Sequence, residues 1–261
     1  MKPIAKFGLA AKGTVYCLIG LLAFMSAFNL GGQTTKKSSN EGVFLFVMDK
    51  PAGKIILGII TLGLLCYAVW RFIQTLLDTE QKGKKAKGLS KRLTYFFSGI
   101  TYLFLSWVSF KVLSGNGGNS GGSSKTDMVS LILHQPAGQW LLGLVAAVMA
   151  GIGVYQIWYG NSEKFHKHVN VQALNPEAAH LLMRAGKIGY ISRGIVWLVI
   201  AFLFFKAALH SKASEAGDTS SAFAFVEQST FGTYLLAALA IGLICYGVMN
   251  FIRAGFEKFK Y

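Results

Sequence analysis

The stretch Lys6-Phe7-Gly8 followed by Lys12-Gly13-Thr14-Val15-Tyr16 opens a long apolar run, and the chain repeats this opening twice more. The second copy is Arg92 with Ser98-Gly99-Ile100-Thr101-Tyr102. The third is Lys187-Ile188-Gly189 with Arg193-Gly194-Ile195-Val196-Trp197. A second marker follows each opening: Pro51-Ala52-Gly53, Pro136-Ala137-Gly138 and the looser Thr230-Phe231-Gly232. From opening glycine to marker glycine the intervals are 40, 39 and 38 residues. Self-similarity at so regular a period reads as one supersecondary unit written three times.

Each unit holds two stretches long enough to cross a bilayer, which takes roughly 20 helical residues. The six spans run Gly13–Leu30, Ile55–Leu77, Leu93–Leu113, Gln139–Gly160, Ile188–Leu209 and Phe231–Ile252. The composition agrees, with 53% hydrophobic residues, 14% charged residues and a mean hydropathy of +0.46. Backbone amides in lipid must be satisfied within the segment, so open spans are helices. The expected fold is all-α and integral to the membrane: six transmembrane helices as three parallel two-helix repeats around a pseudo-threefold axis. It forms a single domain over 1–261, with repeats at 6–78, 92–165 and 186–259.

The net charge of +15 is distributed unevenly. The N-terminus, the loops near 71–92 and 160–193, and the C-terminus carry 18 of the 26 Lys and Arg residues. The positive-inside rule then places both termini in the cytoplasm. A multi-pass membrane protein with both ends on the cytoplasmic side follows as the expected arrangement. The basic run Lys82–Lys87 reads as a contact for anionic headgroups on that side, and nucleic acid is not an expected partner.

The openings x-Gly-x-x-x-[Lys/Arg/Ser]-Gly-x-x-[Tyr/Trp], each followed by Pro-x-Gly about forty residues on, resemble those of bacterial membrane proteins built from three copies of domain of unknown function 1206. The likeness covers about residues 6–258. The second copy departs from it with Thr94 and Ser98, and the third lacks the proline. The resemblance implies topology and a bacterial membrane, and brings no activity with it.

Repeat position nominates the candidate site. Arg71, Gln156 and Asn250 each lie 18 residues after a marker glycine, so a threefold arrangement would set one guanidinium and two amides at one level. Ionisable groups inside a membrane are costly, and a guanidinium fork suits a phosphate or carboxylate. Those three are the candidate ligand-binding residues. Lys12 and Arg193, with Ser98 at the matching place, are candidates for lipid-headgroup contact. Cys17, Cys66 and Cys245 read as packing residues, and His166 with His168 gives no metal set. No phosphate-binding loop, dinucleotide fingerprint or nucleophile elbow occurs, and the span centres hold no Asp or Glu. Catalysis and a cofactor are therefore not expected. The leading expectation is a bundle that binds or passes a small anion or an anionic headgroup. The alternative is a non-catalytic scaffold or interaction protein, with protein partners or copies of itself on its glycine- and alanine-lined faces.

Overall fold

The computed structural model describes residues 2–77, 86–116, 129–170, 172 and 174–257. The side chains of the basic run Lys82–Lys87 lie outside the described residues. Eight helices are described along the chain: α1 (Lys2–Ala27), α2 (Asn40–Met48), α3 (Gly53–Leu76), α4 (Ala86–Leu113), α5 (Gly138–Asn161), α6 (Pro176–His210), α7 (Thr219–Glu227) and α8 (Gly232–Phe256). Six of them, all but α2 and α7, are long and apolar enough to cross a membrane.

The marker glycines have one shared structural role. Each donates its backbone N–H to the carbonyl three residues back, at 2.8 Å from Lys50, 2.9 Å from Gln135 and 2.8 Å from Ser229. This turn follows a short helix in every repeat: α2, the helical residues 129–133, and α7. A Cβ on Gly53, Gly138 or Gly232 would collide with a carbonyl oxygen of that short helix, Val47, Ile132 or Glu227 respectively. Side-chain caps start two of the short helices, with Ser39 accepting from the Gly42 N–H and Asp218 from the N–H groups of Ser220 and Ser221.

The repeats join head to tail in a cycle. The second span of each repeat packs on the first span of the next: α3 on α4, α5 on α6, and α8 on α1. The register is the same at all three joints. A Cβ on the opening glycine would lie 3.3 Å from Phe251 at Gly13, 3.0 Å from Phe72 at Gly99 and 2.7 Å from Ile157 at Gly194. Those three partners each stand 19 residues after a marker glycine. Backbones meet at two of the joints, where a Cβ on Gly13 would sit 3.0 Å from the Gly247 carbonyl and one on Gly194 2.8 Å from that of Gly153. Close backbone approach is how helices gain packing energy in lipid. The third joint is polar instead, with Thr61 and Ser109 hydroxyls 2.7 Å apart and Ser106 donating to the Thr61 carbonyl.

Inside the repeats the symmetry breaks. In the first and third, the two spans cross through a glycine: a Cβ on Gly8 would lie 2.6 Å from Tyr67 Cβ, and one on Gly189 2.6 Å from Tyr246 Cα. One turn away, Ala11 meets Gly63 and Ser192 meets Gly242. The second repeat places Thr94 and Phe97 on α4, and Ile152 and Val148 on α5, at these four positions. These positions lack the small residues through which the other two copies cross, and α4 and α5 do not pack on each other as α1 does on α3 and α6 on α8. On α5, Gly143 and Gly151 take no part in packing within the chain, since a Cβ on either would meet nothing within 4 Å.

These glycines yield a stability prediction. Gly189→Val forces a side chain into the α8 backbone and is expected to cost about 1–3 kcal/mol, the usual range for overpacking. Gly143→Val, facing open space, should stay within roughly 0.5 kcal/mol of the native chain. Thermal unfolding of the two variants in one detergent checks this, and equal losses would remove the crossing argument.

Candidate functional site

The end of the bundle that carries the chain termini gathers the basic and phenolic side chains. On α3, Tyr67, Arg71 and Gln74 follow at i, i+4 and i+7, and on α8 Tyr246, Asn250 and Arg253 follow at the same spacing. Each trio therefore shares one helix face. From α1 comes Lys12, 5% exposed, with its Nζ 5.3 Å from the ring centroids of Tyr67, Tyr102 and Tyr246. Three rings from three helices thus surround one ammonium. A cation–π contact contributes about 0.5–2 kcal/mol, more as water is excluded, so the cage compensates part of the cost of burying the charge.

Arg71 lies over the Tyr67 ring, 4.8 Å from its centroid, and 5.1 Å from that of Tyr95. Its Nε and Nη2 both donate to the Tyr67 hydroxyl, and Nη1 donates to Gln74 Oε1 at 2.8 Å. Arg193 is oriented differently. Its Nη1 donates to the Tyr246 hydroxyl at 2.6 Å, and its guanidinium carbon lies 5.1 Å from the Tyr16 centroid and 4.8 Å from that of Tyr246. The Nε of Arg193 is buried and meets no acceptor. Arg193 thus holds the inner hydrogen of its fork toward no protein group, while Arg71 spends its fork on a phenol.

The balance of charge is one-sided. Arg253 is paired with Glu257, through Nη2 at 2.7 Å and Nε at 3.1 Å. Among the described residues no ion pair joins Lys12, Arg71 or Arg193 to a carboxylate; their partners are tyrosines and Gln74. Tyrosine edges link the group further: Tyr16 with Tyr246 at 4.8 Å, Tyr67 with Tyr102 at 4.5 Å, and Tyr190 with Tyr246 at 5.2 Å.

The three side chains expected to converge do not hydrogen-bond to one another. Arg71 turns back to its own helix, and Asn250, fully buried, donates to the Tyr246 carbonyl four residues earlier. Asn250 Oδ1 and the Oε1 of buried Gln156 meet no donor. Lys12 lies within the bundle, in place of the headgroup position expected for it, and Arg193 is half-buried. The tyrosines were missed as site residues. Repeat position marks four of them, since Tyr16 and Tyr102 each stand 3 residues after an opening glycine and Tyr67 and Tyr246 each stand 14 residues after a marker glycine.

Comparison with known proteins bears on the threefold design. The model of a domain of unknown function, DUF1206, matches residues 7–78, 93–162 and 188–257. The chain belongs to the DUF1206 family. The chain is also similar to YxxB, an uncharacterised protein of Bacillus subtilis (strain 168). The two are 29% identical over 257 residues, covering 98% of this chain and 91% of that one. No solved structure matches the chain. The matched ranges each take in one two-span unit, so the DUF1206 copy is the hairpin described above, and the chain is a multi-pass membrane protein of six spans.

Proposed function

We propose that this DUF1206 protein binds an anionic oxygen group, a phosphate or carboxylate, at the terminal end of its bundle, with Arg193 as the principal ligand. The observation that carries the reading is the Arg193 fork, whose buried Nε has no acceptor, beside two further cations without carboxylates. An uncompensated buried charge is strongly destabilising, and an oxyanion across Nε and Nη2 would satisfy it in the bidentate geometry that guanidinium favours. Lys12, held by its three rings, adds charge to the same level, and Arg71 holds Tyr67 in place. Binding is favoured over passage because Lys12, Tyr67, Tyr102 and Tyr246 are all buried where the repeats meet. A scaffold has no need of buried cations, which sets that alternative second. The charge bias of the loops supports an inner-membrane location with this end toward the cytoplasm.

Purified protein titrated with inorganic phosphate, and separately with phosphatidylglycerol in mixed micelles, should gain thermal stability with at least one of them. Arg193→Gln should weaken that binding about tenfold, the equivalent of one charge-assisted hydrogen bond of about 1.5 kcal/mol. Equal affinity in the variant, or no response to either anion, would overturn the reading.

A further inference from the structure

We infer that the unclosed α4/α5 hairpin is a lateral portal through which an anionic phospholipid brings its headgroup to Arg193, its acyl chains lying along the apolar flanks of the two helices. The inference rests on the anion reading above and adds the ligand class and the route. Its first support is the broken hairpin. Thr94, Phe97, Val148 and Ile152 stand where the closed copies have Gly8, Ala11, Gly63 and Tyr67, and the spans stay apart. Phe97 and Val148 are 58% and 57% exposed on these flanks, so the walls of the opening are apolar and suited to chains.

The second support lies at the inner edge. Gln156 continues the Val148–Ile152 line of α5 at i+4 spacing, yet it is only 7% exposed and its Oε1 has no donor. Its neighbour Ile157 packs on Gly194, beside Arg193. Across the opening, α4 contributes buried Tyr102, whose ring faces Lys12. Close to these residues lie a guanidinium Nε without an acceptor, a caged ammonium and an orphan carbonyl.

This combination selects among occupants. A free phosphate satisfies Arg193 but has no use for apolar walls. A helix from a second copy suits the walls but would bury Gln156 Oε1 against carbon. A phospholipid with a hydroxylated headgroup, of the phosphatidylglycerol kind, supplies chains for the flanks, a phosphate for Arg193 and a hydroxyl donor for Gln156.

The test is photolabelling in nanodiscs with phosphatidylglycerol carrying a diazirine on one acyl chain. Label is expected on α4 near 97 and on α5 between 148 and 156, competed by unlabelled phosphatidylglycerol and not by phosphatidylcholine. The double variant Phe97→Ala with Val148→Gly restores the small residues of one of the two contacts in the closed copies, that of Ala11 with Gly63. It should lose labelling about tenfold while keeping its response to inorganic phosphate. Label spread evenly over the six spans, crosslinks between two copies at α4 or α5, or undiminished labelling of a folded double variant would each overturn the portal. If the double variant does not fold, the label positions in the native chain decide. A phosphate response together with misplaced label would leave the anion site standing without the portal. No response to phosphate or to phosphatidylglycerol would remove both.

Discussion

Lys12→Met is expected to raise the melting temperature of the anion-free protein and to abolish most of its response to phosphate. The two effects have one origin. In the native chain the ammonium is buried among three phenol rings, without a carboxylate and near two guanidinium groups that share those rings. The cage returns at most a few kcal/mol. Taking the charge out of water costs several, and the like charges beside it add to that cost. Methionine keeps the length of the side chain and makes favourable sulfur–aromatic contacts, so the rings remain packed. Replacing buried ions by apolar groups of similar volume stabilises some proteins by about 1–4 kcal/mol, which for a chain of this size corresponds to a rise of several degrees. The anion response falls because the phosphate loses an ammonium at a level where water no longer screens it. Calorimetric scans with and without phosphate in one detergent check both signs. A lower melting temperature for the variant would mean that the cage outweighs desolvation. An unchanged phosphate shift would place the bound anion away from Lys12.

Much of this arrangement was legible in the sequence, and the reasons differ by feature. The hairpin count and the markers were legible because each marks a steric demand that a side chain cannot meet. A Cβ at any of the three marker glycines would hit the preceding short helix, and one at Gly8 or Gly189 would hit the facing backbone. Those demands leave glycine as the residue at fixed spacing. The break in the second repeat was written just as plainly in Thr94, but its consequence needs the facing residue too. Only when Gly63, Tyr67, Gly242 and Tyr246 are known to be the partners does the pairing of Phe97 with Val148 and of Thr94 with Ile152 become an obstruction.

The site was legible in its residue types and not in its contacts. Repeat position identifies which side chains share a level, but not whether they reach the axis or fold back. A long side chain at i on a helix has a neighbour at i−4 already in place, and Arg71 takes Tyr67 while Asn250 takes the Tyr246 carbonyl. Arg193 has Gly189 at that place, with no side chain to bond, and reaches across to Tyr246 on α8. The residue opposite Gly189 in the crossing is that same Tyr246. The glycine that lets α6 and α8 approach therefore also leaves Arg193 pointed into the bundle.

Tyr246→Ala follows from the same geometry and is expected to be the most destabilising single change in the bundle. Tyr246 is 1% exposed, and it touches the rings of Tyr16 and Tyr190, the Lys12 ammonium and the Arg193 guanidinium. Removing a buried aromatic ring costs about 3–5 kcal/mol through lost contacts and the cavity left behind. Two cations would also lose their common partner, with no carboxylate to replace it. Tyr246→Phe separates these terms, since the ring and its contacts stay and only the hydroxyl that accepts from Arg193 Nη1 is lost. Its cost should be about 1–3 kcal/mol, the penalty of one unsatisfied buried charged donor. Ile152 occupies the matching position in the second repeat, where the hairpin is open and the side chain exposed, so Ile152→Ala should cost less than about 1 kcal/mol. Unfolding of the three variants in one detergent orders them. A large loss at Ile152 would mean that α4 and α5 are packed together in the folded protein. A small loss at Tyr246→Ala would mean that the tyrosine cage does not hold the three repeats together.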